Sequence, residues 1–90
     1  MLKVNLTSQF KRDLKLCKKR SYNINLLNAV VNTLRIPAAL PLKNKDHALK
    51  GNYIGRRECH ISPDWLLIYR IDGNELYLDR TGTHADLFGM

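Results

Sequence analysis

The stretch "WLLIYRIDGNELYLDRT", Trp65 to Thr81, holds two short apolar runs joined by "DGN". Asp72-Gly73 is a strong signal for a tight hairpin, because glycine adopts the backbone angles such turns need. The first run, Trp65–Ile71, is apolar on both faces, so it belongs in the interior of a sheet. Upstream, "YIGRRECHI" (Tyr53–Ile61) is a third strand-like run, separated from the first by "SPD". Three successive strands with short connections predict a largely antiparallel sheet.

The N-terminal half has a different period. "LKVNL" alternates apolar and polar residues and reads as a strand. Thr7 or Ser8 can cap a helix that runs to about Arg20. Phe10, Leu14 and Cys17 give it one buried stripe, while Lys11, Arg12, Lys15, Lys18 and Lys19 cover the rest. Ile24, Leu27, Val31 and Leu34, with Val30 beside them, repeat at helical spacing and predict a second helix to about Arg35. Pro37 and Pro41 end it. The expected fold is therefore α+β, in the order β-α-α-β-β-β, with two helices packed on one face of the sheet. Residues 1–90 form a single domain in this reading. The other face has little to cover it and is a candidate working surface.

Composition narrows the function. The chain carries 15 Lys and Arg against 8 Asp and Glu, a net charge of +7, which suits a polyanionic partner. No apolar stretch approaches the ~20 residues of a membrane helix. The start, "MLKVNLTSQF", lacks a signal-peptide core. A cytoplasmic location with no membrane partner is expected. Cys17 and Cys59 show no CxxC pattern and are expected to be buried thiols.

Strand alternation sorts the reactive residues. Arg56, Glu58 and His60 should share one face, and Arg57, Cys59 and Ile61 the other. Cys59 and His60 then point apart, which argues against a Cys–His nucleophile. Asp64, after the turn, can approach His60 or simply cap the turn. Arg80 ends the last strand and His84 follows in "TGTH"; His47 lies in the basic loop "KNKDHALKG". Trp65 reads as core. There is no HExxH, paired CxxC, P-loop or GxSxG, so neither a metal nor a cofactor is expected. Histidines, an aspartate and arginines on a basic domain suit metal-independent RNA cleavage. That reaction needs a base for the 2′-hydroxyl, an acid for the leaving 5′-oxygen, and cations for the transition state.

The order of motifs from Asp46 to Phe88 carries a resemblance: "DHALKG", then "RRECHISPDW", an apolar strand ending in "YR", then "RTGTHADLF". This half of the chain resembles the YafQ-type branch of the RelE/ParE toxin superfamily. The resemblance implies the RelE-like fold. It also implies a toxin of a type II toxin–antitoxin pair, an endoribonuclease that cuts mRNA in the ribosomal A site without a metal. Its implied partners are a cognate antitoxin, mRNA on the ribosome and rRNA, with operator DNA reached only through the antitoxin. The implied catalytic positions are His47, His60, Asp64 and His84, with Phe88 in support. Within that frame His84 is the expected acid, and Asp64 and His60 are the candidates for base and for orienting the 2′-hydroxyl. His47 would contact phosphate, and Arg80 would stabilise developing charge. Lys43, Lys45, Lys50, Arg56 and Arg57 would hold RNA phosphates. The antitoxin segment is expected to be acidic and partly disordered. Two other readings are weighed. One is a ParE-like toxin that binds gyrase, a class that usually lacks the His/Asp set. The other is an inactive antitoxin- or nucleic-acid-binding module. A ribosome-independent ribonuclease fits poorly with so small a site.

Overall fold

In the computed structural model, which describes residues 1–89, strand β1 (Lys3–Leu6) leads directly into helix α1 (Ser8–Lys19). The Thr7 hydroxyl accepts the Phe10 N–H and satisfies one of the free donors at the helix start. Helix α2 (Ile24–Arg35) is capped in the same way by Asn23. Strands β2 (His47–Ala48), β3 (Arg57–Ser62), β4 (Trp65–Asp72) and β5 (Glu75–Gly82) follow, then a short helix α3 (His84–Phe88). The sheet order is β1-β5-β4-β3-β2; β1 runs parallel to β5 and the remaining pairs are antiparallel.

Strand β4 lies at the centre and is buried on both faces, as its composition predicts. On one face Trp65, Leu67 and Tyr69 meet Phe10 and Cys17 of α1 and Leu27, Val30 and Leu34 of α2. On the other, Leu66 and Ile68 meet Leu87 of α3, bordered by Leu49, Tyr53 and Phe88. Both cysteines are free and buried. Burial pushes the Cys59 thiol up to about 12, so it stays protonated and inert. No helix among the described residues is long and apolar enough to cross a membrane.

The expected order holds, with three differences. The strand read from Tyr53 begins only at Arg57, because Gly51–Tyr53 form a 3-10 turn and Gly55 takes a left-handed φ of 86°. Arg56 therefore stands outside the strand and does not share its alternation with Glu58 and His60. His47 and Ala48, read as loop, pair with Glu58 and Arg57 as a two-residue edge strand. Finally, Thr83 and Asp86 form a capping box that starts α3, and Gly89, at φ 71°, ends it. This helix covers part of the face expected to be open.

Beyond Leu78 the edge of β5 has outrun β1, and Asp13 of α1 takes over. Its carboxylate accepts the Thr81 backbone N–H at 3.1 Å and the Arg80 guanidinium at 2.8 and 3.2 Å. Inside, the Trp65 indole N–H donates to Thr81 Oγ1, which donates in turn to the Leu66 carbonyl, each at 2.8 Å. Thr81→Val keeps the shape but leaves a buried indole N–H without an acceptor. It should lower the unfolding free energy by about 1–3 kcal/mol, read as a shifted urea midpoint at unchanged slope.

Candidate active site

Four segments, β2, β3, the β3–β4 turn and α3, converge beside the outer face of β3 and β4. Glu58 and His60 alternate on β3, so both side chains project to the same side. His47 stands opposite Glu58 on β2. Asp64 lies in the β3–β4 turn, and His84 is the first residue of α3.

Glu58 is the buried centre of this group, 4% exposed. The Nε2 atoms of His47 and His60 each lie 3.6 Å from its Oε1. The other ring nitrogen of His47 is 2.7 Å from the Lys45 carbonyl, and that of His60 is 3.3 Å from the Pro63 carbonyl. A carbonyl only accepts, so these Nδ1 atoms carry the protons and both Nε2 atoms turn toward the carboxylate.

His84 is held differently. Its Nδ1 lies 2.6 Å from Asp64 Oδ1, and its backbone N–H donates to the same oxygen at 3.0 Å. That double contact fixes the ring and leaves Nε2 as its free nitrogen. The His84 backbone N–H, followed by the ring, holds the Asp64 carboxyl below the ordinary carboxylate range. The His60 and His84 rings are 5.7 Å apart, and Phe88 lies 6.5 Å from His84, stacked edge-on against Tyr53. One donor atom each from Glu58, His60 and His84 fall within 4.8 Å of one another, so this trio has the chemistry and spacing to hold a transition-metal ion.

The structure thus brings together His47, His60, Asp64, His84 and Phe88. Asp64, read as able to approach His60 or to cap the turn, has His84 as its partner. Glu58 is the member the sequence reading missed. The available signal was its place two residues before His60 on the same strand face. The arginines are engaged elsewhere. Arg56 donates to Asp79 at 2.8 Å, Arg57 to Asp46 at 3.2 Å, and Arg80 to Asp13. Lys43, Lys45 and Lys50 are exposed, and none of the salt bridges among the described residues involves a lysine.

The position of His84 depends on what holds α3. Arg20, at the end of α1, grips Asp86 with two hydrogen bonds of 2.6 and 3.1 Å, while Asp86 also accepts the Thr83 N–H at 2.9 Å. Gly82 leaves room for this carboxylate: a Cβ there would sit 2.9 Å from both Cβ and Oδ2 of Asp86. Gly82→Ala should therefore displace α3, and His84 with it, seen as shifted amide resonances across residues 83–88. The thermal midpoint should fall by only a few degrees, roughly what about 1 kcal/mol produces in a chain this size.

Arg20, and then the Thr83 N–H, hold the Asp86 carboxyl well below its usual range. A depressed folded pKa stabilises fully above the ordinary value of about 3.9 and stops doing so as pH falls through the folded one. Asp86→Asn should cost about 1 kcal/mol at neutral pH. It should also flatten the acid-side loss of stability, measured as urea midpoints between about pH 5 and pH 2.

Comparison with known proteins identifies the family and matches the fold. The family model described as "Bacterial toxin of type II toxin-antitoxin system, YafQ" matches residues 2–89. The mRNA interferase toxin YafQ of Escherichia coli K12 is 41% identical over 91 residues, covering 96% of this chain and 95% of its own. A copper-bound mutant toxin from Helicobacter pylori superposes with a TM-score of 0.94 at 42% identity, over 98% of this chain and 100% of that one. The toxin chain of the E. coli DinJ-YafQ toxin-antitoxin complex gives 0.89 at 39% identity, over 98% of each chain.

Proposed function

This chain belongs to the YafQ family of bacterial type II toxins, and from that premise we propose that its histidine cluster cuts mRNA by direct acid–base catalysis on the ribosome. It is the toxin of a toxin–antitoxin pair and an mRNA interferase.

The observation that carries the mechanism is the 2.6 Å contact between Asp64 and His84 Nδ1. With Nδ1 occupied, Nε2 is the nitrogen that faces substrate and gives a proton to the leaving 5′-oxygen. Asp64 is a poor base here. Its Oδ1 is taken by His84, and its lowered pKa weakens its pull on a proton. Its role is to fix the ring and tautomer of His84. The base is better sought in the Glu58–His60 pair, whose Oε1 and Nε2 lie 3.6 Å apart on one face of β3.

The steps then balance. The 2′-hydroxyl proton passes to the Glu58–His60 pair. The 2′-oxygen bonds to phosphorus, and the bond from phosphorus to the 5′-oxygen breaks. His84 protonates the departing oxygen, and a 2′,3′-cyclic phosphate remains on the upstream fragment. His47, anchored by the Lys45 carbonyl, supplies positive charge beside the phosphate when it is protonated. Phe88 and Tyr53 give a base a surface to stack on. Lys43, Lys45 and Lys50 hold phosphates. Arg56, Arg57 and Arg80 act from within their ion pairs, chiefly by shaping the site. A metal ion on Glu58, His60 and His84 would occupy the lone pairs these steps need, so it would inhibit this route.

The remaining parts follow from substrate and partner. The small site offers little surface to align an RNA by itself, which supports the ribosome as scaffold, with contacts to rRNA through exposed lysines. The site of action is then the cytoplasm. The DinJ-YafQ complex supports a cognate antitoxin for this chain. We take its segment to be acidic and to order on binding, with operator DNA reached only through the antitoxin.

Mapping mRNA 5′ ends in bacteria after brief induction tests the reading. The wild type should create new ends inside translated codons. His84→Ala should reduce them by roughly 10²–10⁴-fold, the usual cost of losing a general acid. Asp64→Asn should reduce them less, since the ring remains. Thermal midpoints of both purified variants should stay near wild type. Growth arrest without new ends would favour the gyrase-binding alternative, and undiminished cutting by folded His84→Ala would remove His84 from the role of acid.

A further inference from the structure

Between the 42–45 turn and the end of β3 lies an open cavity of about 390 Å³. Its walls include Lys43, Asn44, Lys45, His60, Ser62 and Pro63. It shares His60 with the histidine cluster and no residue with the Tyr53–Phe88 cleft.

The wall is built rather than incidental. Asn44 is 7% exposed, and its amide Nδ2 donates to the His60 carbonyl at 2.7 Å. Strand β2 is only two residues long and pairs with β3 no further than Glu58. The His60 carbonyl faces the edge that β2 has vacated, and Asn44 substitutes for the missing strand. The next residue, Lys45, takes a left-handed φ of 48° and turns its carbonyl toward His47 Nδ1. One turn therefore anchors both His60 and His47 and forms the floor of the cavity.

The lining has a definite chemical character. It contains two exposed lysines that appear in no salt bridge among the described residues, an amide, a hydroxyl, an imidazole, and the apolar surfaces of Ile61 and Pro63, with no carboxylate and no aromatic carbocycle. Such a lining attracts an anion and offers hydrogen bonds to ribose and base edges, but no stacking surface. The volume falls in the range of small-molecule sites. We propose that this cavity is the subsite for the nucleotide adjoining the scissile phosphate on the His60 side, and that it recognises that nucleotide by hydrogen bonding. The inference rests on RNA lying across the histidine cluster. It gives the substrate two unlike neighbours, a hydrogen-bonding pocket past His60 and a stacking cleft past His84.

The test is an amide-resolved NMR titration of the whole chain with adenosine 5′-monophosphate, beside adenosine and inorganic phosphate. The monophosphate should give saturable shifts concentrated at residues 43–45 and 60–63, well beyond those from either control. Lys43→Ala with Lys45→Ala should weaken binding about tenfold, as expected for losing charge-assisted contacts. Ser62→Leu should fill the cavity and remove the saturation while the rest of the spectrum stays native. Equal shifts from inorganic phosphate, shifts confined to residues 50–53 and 88, or binding indifferent to Ser62→Leu would each overturn the subsite. The catalytic reading fails separately. If His84→Ala still cuts mRNA while the monophosphate binds here, the acid is lost and the nucleotide site stands. If His84→Ala is inactive and no shifts appear here, only the subsite is lost.

Discussion

Strand β4 is apolar on both faces, and that constraint shapes the whole molecule. A sheet strand with two apolar faces cannot be satisfied by one layer of helices. Helices α1 and α2 cover Trp65, Leu67 and Tyr69, but Leu66 and Ile68 need a second cover. The chain supplies it from two places, Leu49 and Tyr53 before β3, and Leu87 and Phe88 after β5. Those segments carry the reactive residues. His47 precedes Leu49 by two positions, and His84 precedes Leu87 by three. Burying the outer face of β4 therefore delivers two histidines to the edge where β3 already presents Glu58 and His60.

This division explains how much could be read from the sequence. Elements with a long hydrophobic period were legible: α1 and α2 through their stripes, and β4 and β5 through the hairpin at Gly73. Parts made by tertiary contact were not. A two-residue strand has no period, so β2 appears only because His47 and Ala48 find β3 as a template. Helix α3, with five residues, is too short to form alone and exists through its cap, Arg20 and the burial of Leu87. Its capping signal, Thr83 and Asp86 with Gly89 after, was present in the sequence. The histidines and Asp64 were named from their motif, but the pairing of Asp64 with His84 was not. It requires the β3–β4 turn and the start of α3 to meet, and they are 20 residues apart. Glu58 went unseen for another reason. A glutamate between an arginine and a cysteine reads as a solvated charge until β2 and α3 close over it.

The net charge of +7 also has to be apportioned before it means anything for function. Most arginines spend their guanidinium groups on carboxylates of the fold: Arg20 on Asp86, Arg56 on Asp79, Arg57 on Asp46, Arg80 on Asp13. Planar, forked donors suit such fixed carboxylate contacts. The lysines are all exposed, and among the described residues their ammonium groups are absent from the salt bridges. Arg20, Arg56, Arg57, Arg70 and Arg80 are thus structural cations, while the lysines, with Arg12 bonded only to Gln9, are the available ones. A sequence count that pools them overstates how many positive groups can meet a polyanion, and it places some of them wrongly, as with Arg56.

A final consequence concerns how the site comes into being. No local segment contains a working set of groups. His47 depends on the Lys45 carbonyl, His60 on the Pro63 carbonyl and on Asn44 behind it, and His84 on Asp64. The Lys45 and Pro63 carbonyls lie within a few residues of the rings they hold, so His47 and His60 are oriented locally, whereas Asp64 reaches His84 from the β3–β4 turn. What assembles the rings is the smaller hydrophobic cluster, which holds far fewer buried side chains than the helical core. Local stability tracks such burial, so this side of the sheet can loosen without unfolding the other. Ring orientation and ring assembly are therefore separable properties. For His47 and His60 the first is written into short hydrogen-bonded turns, and the second is written into a thin apolar layer over β4. A change in that layer can silence the chemistry while leaving every catalytic residue, and the main core, intact.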